Sequence, residues 1–426
     1  MPNLKNFKVS LKSLGKDIFV LSAGILVAQI IPLALQPFLK RTFTPEEFGT
    51  YDVFLKTFSI LVALSCLKYE NAILLPKKDS DSKHVVFLCL VISSLVFVVI
   101  TILIILFKDY IFSRFEGLTL ATLLLLPISV LSYTVFNIFN MYLIRRRKFM
   151  LSSTSKVSRR ISEGFVQLIL GLGSVPNGLL FGDVVGNVVQ AVFTFWKVRV
   201  LSPLKFISWN KIKKVFFEYR ELPIYTLTPN ILNTFVLGSL TFLVLSKFDK
   251  AEVGYLEFTQ KILSIPSVFI SIAISQVVFQ RVSQLINKRE KILPLIIPVV
   301  FFLTLVSIVF ILTIEFYGIE IFTLVGGEDW QNSGEYAQIL VYSSATMLIF
   351  SPLGKILIAL KKFKTNSLWE ILKFIAIVSL FFIDEVTSIK EYLKIYTLII
   401  VFFYILYGGI ILINSYKYQI EEVKDI

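Results

Sequence analysis

Apolar runs of about twenty residues recur along the whole chain, each bounded by a short polar or charged stretch. That is the length of helix needed to cross a bilayer. The runs are continuous rather than alternating, which excludes a transmembrane β-barrel. In lipid each segment must satisfy its own backbone polar groups, and a helix does so. The pattern predicts twelve spans, at 18–39, 52–75, 85–107, 118–140, 157–173, 177–196, 223–246, 257–280, 293–316, 336–359, 368–383 and 394–414. The expected fold is an all-α integral membrane protein of about twelve transmembrane helices in two pseudo-symmetric six-helix bundles.

The division into halves comes from a repeat. "EEFGTYDVFLKTFSI", from Glu46 to Ile60, aligns without a gap on "AEVGYLEFTQKILSI", from Ala251 to Ile265. Glu47 falls on Glu252, Gly49 on Gly254, Asp52 on Glu257, Lys56 on Lys261, and Ser59-Ile60 on Ser264-Ile265. "LIRRRKF" follows the fourth span and "ALKKFK" follows the tenth. An even number of helices per half makes the repeats parallel, related by an axis along the membrane normal. The expected organisation is an N-terminal bundle at 1–196, a cytoplasmic linker at 197–222 and a C-terminal bundle at 223–426. The linker is basic and amphipathic and is expected to lie on the anionic inner surface, with a partner-binding helix as the alternative.

The polar intervals set the orientation. "RRRKF" with Lys156, Arg159 and Arg160, the stretch from Lys197 to Arg220, "KKDSDSK", "NKREK" and "KKFK" all fall on one side. "EFYGIEIFTLVGGEDWQNSGEY", read as the outer loop between the ninth and tenth spans, carries no cation. The positive-inside rule then puts both termini in the cytoplasm. The N-terminal lysines Lys5, Lys8, Lys12 and Lys16 precede an apolar run too long for a signal-peptide core.

Composition agrees with the pattern: 56% of the 426 residues are hydrophobic, with a mean hydropathy of +0.78. The net charge of +14 belongs to the loops that fix topology, so nucleic acid is not expected as a partner. The cysteines Cys66 and Cys89 and the histidine His84 are too few for a zinc set, a disulfide framework or a Cys-His nucleophile. No catalytic residue, metal or cofactor is predicted.

Charges inside the spans carry the candidate chemistry. Lys56 and Lys261 each sit about 10 Å past the turn glycine at the outer face, a depth that costs about 2.5–3.5 kcal/mol per lysine. Asp52 and Glu257 precede them by four residues. Such pairs are worth only a few tenths of a kcal/mol. Two like charges related by the repeat repel unless an anion joins them, and a diphosphate has a suitable size and charge. Lys68 and Lys355 are further candidate substrate-binding cations. Lys373, near a span end, is expected to snorkel. Glu70 follows Lys68 by two residues; on one helix they would not face each other, so they are not expected to pair. Gly178, Gly182 and Gly186 form a four-residue stripe for close helix packing, with Asp183 inside it. Asp183 and Glu70 are the candidate ion-coupling carboxylates, with pairing to a lysine as the structural alternative for each. No G-x-x-x-x-G-K-[ST] loop is present, which argues against direct use of ATP.

The blocks "FGTYDVF…KYENAILLPKKDSD", "YRELPIYTLTPNILNTF…FLVLSKFDKAEVGYLEFTQKILSIPSVFISIAISQVVFQR" and "GGEDWQNSGEYAQIL…SPLGKILIALKKF" resemble the Wzx-type polysaccharide flippases of the multidrug/oligosaccharidyl-lipid/polysaccharide exporter superfamily. The resemblance runs from about Lys12 to Glu370. It implies two bundles around a central, often cationic cavity. It also implies transfer of an undecaprenyl-diphosphate-linked oligosaccharide from the inner to the outer leaflet of the cytoplasmic membrane, for O-antigen or capsule synthesis. Membrane lipid, a polysaccharide polymerase and chain-length proteins are the other partners considered. Cavity cations vary within the family, so the roles of Lys56 and Lys261 rest on the repeat in this chain. The alternatives are an ion-coupled small-molecule or multidrug exporter of the same superfamily, expected to have an acidic cavity, and a membrane glycan polymerase or glycosyltransferase, expected to carry a large outer loop or a cytoplasmic domain with grouped carboxylates.

Overall fold

The computed structural model describes residues 27–114, 119–201, 208–383 and 386–422. The lysines before residue 17, part of the linker and the last four residues lie outside the described residues. All regular elements among the described residues are helices. The first, α1, occupies 27–42. Then come α2 (Pro45–Ser65), α3 (Asp79–Leu106), α4 (Lys108–Arg114), α5 (Leu120–Arg145), α6 (Phe149–Leu172), α7 (Gly178–Leu201), α8 (Trp209–Glu218) and α9 (Thr228–Lys247). They are followed by α10 (Lys250–Pro266), α11 (Ile272–Asn287), α12 (Leu293–Gly326), α13 (Gln331–Phe350), α14 (Lys355–Ala359), α15 (Phe363–Ser379) and α16 (Ile389–Glu422).

Nine helical segments among the described residues are long and apolar enough to cross a membrane. They correspond to the second, third, fourth, sixth, seventh and ninth to twelfth predicted spans. In the other three predicted spans the described residues are also helical. The first has only 27–42 described. The fifth lies in α6, which carries Lys156, Arg159, Arg160 and Glu163 along its length. The eighth is split into α10 and α11 by a π-helical turn, Ser267–Ser271, directly after Pro266. A proline removes one ladder hydrogen bond and crowds the preceding turn, which accounts for the break.

The repeat is visible in how α2 and α10 begin. Thr44 and Asp249 take the same extended N-cap backbone, at φ −74°, ψ 160° and φ −74°, ψ 163°. At α2 a capping box forms: Glu47 N donates to Thr44 Oγ1 at 3.3 Å and Thr44 N donates to Glu47 Oε2 at 2.9 Å. Pro45 at the first helical position, with Glu46 and Glu47 in the first turn, suits the positive end of the dipole.

Two boundaries differ from the sequence reading. The second span ends ten residues early, at Ser65, because Leu67 and Lys68 turn the chain through the left-handed region at φ 49° and 65°. A 3₁₀ segment, Tyr69–Leu74, then leads to α3. The Arg145 guanidinium holds this loop by donating to the carbonyls of Ile73, Leu74 and Pro76 at 3.3, 3.1 and 2.6 Å. The expected outer loop between the ninth and tenth spans is largely helix. α12 runs on to Gly326, giving 34 residues and a length of about 51 Å, well over the roughly 30 Å of bilayer hydrocarbon. The turn itself is Gly327, at φ 97°, and the 3₁₀ segment Glu328–Trp330. "EFYGIEIFTLVG" is apolar enough to continue a helix, and only the following glycine stops it.

The chain divides within α9 into two compact units, up to Gly238 and from Ser239. In the first, Tyr69, Val85, Cys89, Ile138, Phe139, Tyr142 and Leu143 build the main cluster, joined by Ile212 and Val215 of α8. In the second, Phe258 meets Phe322 and Trp330 edge-on at centroid distances of 4.8 and 5.3 Å. There Gly334 brings α13 onto α12 so closely that a Cβ would stand 2.6 Å from Ile319 Cα.

Candidate functional site

Lys56 and Lys261 occupy equivalent settings, one in each unit. Lys56 Nζ lies 3.6 Å from Asp52 Oδ1, and Lys261 Nζ lies 2.7 Å from Glu257 Oε1. Both carboxylate side chains are about 5% exposed or less, whereas the lysines keep 27% and 28% exposure. The acid is therefore buried inside its unit while the lysine side chain keeps partial exposure. An i,i+4 pair of this kind is too weak to offset the cost of placing lysine in a span, although it orients the side chain. In the first unit Gly238 of α9 leaves room for the lysine stem: a Cβ there would stand 3.4 Å from Lys56 Cβ.

The other two candidate cations differ from this pair. Lys355 begins α14 and is exposed. Lys68 pairs with Glu70, Nζ to Oε1 at 3.8 Å, against expectation. The reason is the left-handed turn: with Lys68 at φ 65° and Glu70 in a 3₁₀ segment, the helical argument for opposite faces no longer applies. Glu70 lies between the spans that end at Ser65 and begin at Asp79. It is 6% exposed, its Oε2 has no hydrogen-bond partner, and burial raises its pKa above the usual carboxylate value against the opposing pull of Lys68.

Asp183 is fully buried on α7 and is the hub of a network that the sequence reading missed. Its Oδ1 accepts from Arg159 Nη2 at 3.0 Å, and its Oδ2 accepts from Ser129 Oγ at 3.1 Å and Asn187 Nδ2 at 2.8 Å. Arg159 also lies 3.7 Å from Glu163. Glu163 accepts from Arg160 at 2.9 and 3.1 Å and from Tyr51 Oη at 3.4 Å. Arg159 and Arg160 are therefore not loop residues. They stand in the middle of α6, where Arg159 keeps 13% of its side-chain exposure. The overlooked signal was a polar stripe at helical spacing, Ser152, Ser155, Arg159, Glu163 and Gln167, which runs from the stretch counted as basic loop into the predicted span at 157–173. The glycine stripe lets the two helices meet: a Cβ on Gly182 would fall 2.3 Å from Gln167 Cγ, and one on Gly186 would fall 3.1 Å from the Arg159 carbonyl.

Lys373 does not snorkel. It is 5% exposed, pairs with Glu370 at 2.8 Å, and lies over the Trp369 and Tyr404 rings at 4.1 and 5.5 Å. Two ring faces replace the water that a snorkelling ammonium would reach. Among the described residues no group of three or more His, Cys, Asp and Glu side chains could hold a metal ion.

Residues 14–286, well over half of the chain, match the family described as "Polysaccharide biosynthesis protein". The chain belongs to that family. No curated protein sequence matches it significantly. Among solved structures, this polysaccharide biosynthesis family member is similar to an inward-facing multidrug resistance MATE family transporter of the MOP superfamily. The TM-score is 0.74 at 13% identity, covering 95% of this chain and 99% of that one. It is also similar to the lipid II flippase MurJ in an inward closed conformation, at a TM-score of 0.72 and 14% identity, over 95% of this chain and 91% of that one. At such identities the likeness speaks for the fold alone. This family member has the fold of MOP-superfamily transporters and flippases.

Proposed function

We propose that the protein flips an undecaprenyl-diphosphate-linked oligosaccharide repeat unit from the inner to the outer leaflet, by alternating access and without covalent chemistry, as a Wzx-type flippase. The product would feed O-antigen or capsule assembly, with a polymerase and chain-length proteins downstream. In this reading the protein sits in the cytoplasmic membrane with both termini inside. The observation that carries it is the pair of partly exposed lysines, Lys56 and Lys261, each held by a buried acid four residues earlier in its own unit. A diphosphate is the part of such a substrate that needs cations, and lysine serves it as a point charge. Family membership and a fold shared with a lipid II flippase support the choice of a lipid-linked substrate. Lys68 and Lys355 are secondary contacts in this proposal, and Asp183 and Glu70 are the carboxylates proposed to couple transport to an ion gradient.

The likeness to a multidrug transporter favours a second reading, export of small molecules. One experiment separates them. Cells lacking the protein should accumulate a lipid-linked oligosaccharide on the cytoplasmic side and lose surface polysaccharide. Unchanged oligosaccharide pools together with raised drug sensitivity would replace the flippase reading with the exporter.

A further inference from the structure

The helix α8 has three sectors. At about 100° per residue, Ile212 and Val215 share one face, and both are buried in the core of the first unit, at 4% and 5% exposure. Next to that face, over an arc of about 100°, come Phe216, Trp209 and Phe217, with exposures of 40%, 66% and 54%. Lys213 stands within that arc, and Lys211 and Lys214 occupy the remaining polar side together with Asn210 and Glu218. All three lysines are exposed. A helix that needed only to tie itself to the protein would carry the first sector alone. Three exposed aromatic side chains on ten residues call for something apolar, and the lysines beside them call for something anionic.

The rest of the unit holds α8 in a fixed attitude. Tyr69 Oη donates to the Phe216 carbonyl at 3.0 Å, and the two rings stack at 5.5 Å. At the other end, the Ser208 N–H donates to His84 Nε2 at 3.3 Å, while His84 Nδ1 lies 2.7 Å from the Ser80 carbonyl. The histidine is thus a neutral tautomer with its proton on Nδ1, which positions it to accept at the start of α8. Other exposed cations stand near α8's supports: Lys77 and Lys78 at the start of α3, and Arg146, Arg147 and Lys148 after α5. α5 is itself tied to the start of α3 by Arg145 and Arg146, at 3.7 and 3.4 Å from Asp79.

We infer that α8 is a docking helix for anionic phospholipid: its aromatic arc enters the headgroup–acyl boundary, and Lys211, Lys213 and Lys214 take the phosphates. Charge complementarity selects this occupant. An amphipathic helix with aromatic residues beside lysines matches the bilayer interface, and each lysine near an anionic surface raises local binding about fivefold. A protein partner would have to offer an acidic, aromatic-binding groove, and nothing in the first unit calls for one. The inference does not depend on what the protein transports.

The test uses the full chain in vesicles of phosphatidylcholine and phosphatidylglycerol, with bromine on the chains of one lipid or the other. The Trp209 signal is the fluorescence difference between the wild type and Trp209→Phe. Brominated phosphatidylglycerol should quench it at least about fivefold more than brominated phosphatidylcholine at the same mole fraction, the preference that one lysine supplies. In the variant Lys211→Gln/Lys213→Gln/Lys214→Gln, which alters only exposed side chains, the two lipids should quench equally. Equal quenching in the wild type would overturn the selectivity for anionic lipid. No quenching of Trp209 by either lipid would overturn membrane docking altogether and leave a protein partner as the occupant.

Discussion

Arg159 and Asp183 come from helices the glycine stripe presses together, and they pair at 3.0 Å with the carboxylate fully buried. Breaking a buried pair by removing one partner costs about 3–5 kcal/mol, because the survivor is left charged and unpaired. Arg159→Gln and Asp183→Asn should each lower the yield of folded protein in the membrane and the melting temperature in detergent. The double variant should lose less than the sum of the singles, since both act on one network. Additive losses would mean that the two residues are stabilised separately. If Asp183 also couples transport to an ion gradient, flipping per folded molecule in Asp183→Asn should fall further than substrate binding does.

The contact that permits this pair should be equally sensitive. Gly182→Ala would drive a methyl group to within 2.3 Å of Gln167 Cγ and 3.0 Å of the Glu163 carbonyl. The glutamine side chain can move, but the backbone oxygen cannot without separating α6 from α7. Overpacking of this kind costs about 1–3 kcal/mol. A melting temperature for Gly182→Ala equal to that of the wild type would contradict the close approach. Gly409→Ala, where nothing lies within 4 Å, serves as the control.

These two sites mark the limit of what the chain's pattern reveals. Hydrophobic runs located the nine apolar helices because lipid exposure demands uninterrupted apolar sequence, and helix–lysine–acid spacing anticipated the Lys56–Asp52 and Lys261–Glu257 pairs. The same logic misread α6. Arg159 and Arg160 count as loop cations by charge although they fall within the predicted span at 157–173, and only their helical spacing with Glu163 betrays a buried face. Lys68 and Glu70 were misjudged for a different reason. Their pairing depends on a left-handed turn at Leu67 and Lys68, residue types that rarely adopt it and so give no warning in the sequence. Lys373 was misplaced because its partners, Trp369 and Tyr404, sit on two helices whose contact no local pattern encodes.

Orientation in the membrane is open to a direct check. The reading places Lys148, between α5 and α6, in the cytoplasm and Glu328, in the turn after α12, outside; both residues are exposed. The native cysteines Cys66 and Cys89 are buried and contribute little background. In intact cells an impermeant thiol reagent should modify Glu328→Cys and spare Lys148→Cys until the membrane is opened. The opposite pattern would invert the topology.

Glu70 should make stability depend on pH. Burial raises its pKa above the ordinary 4.5, so the folded protein holds this proton at pH values where the unfolded chain has released it. Folding stability therefore falls as pH rises through the window from 4.5 up to the raised folded value. The ionisation cost is fully present above that window and absent below it. Glu70→Gln should flatten the melting temperature across this range. An unchanged profile in the variant would assign the pH dependence to another group.

Lys56 and Lys261 carry the functional proposal, and their geometry makes it specific. Asp52 and Glu257 are buried inside their units, so each lysine is oriented by a fixed acid while its side chain keeps partial exposure. If these lysines serve the substrate's diphosphate, Lys56→Gln or Lys261→Gln should each reduce surface polysaccharide sharply at normal protein abundance. Arginine should substitute better than glutamine at both positions, since charge matters more than shape for a point contact. Glutamate should abolish export without preventing insertion, because it would place a carboxylate where the phosphate has to sit. Asp52→Asn should be milder than Lys56→Gln, as it frees the lysine without removing it; the 3.6 Å separation there already leaves that ammonium looser than the 2.7 Å pair of Lys261. The measurement is complementation of surface polysaccharide in cells lacking the protein, normalised to the amount of each variant in the membrane. Full complementation by both glutamine variants would show that the repeated lysine serves helix packing alone.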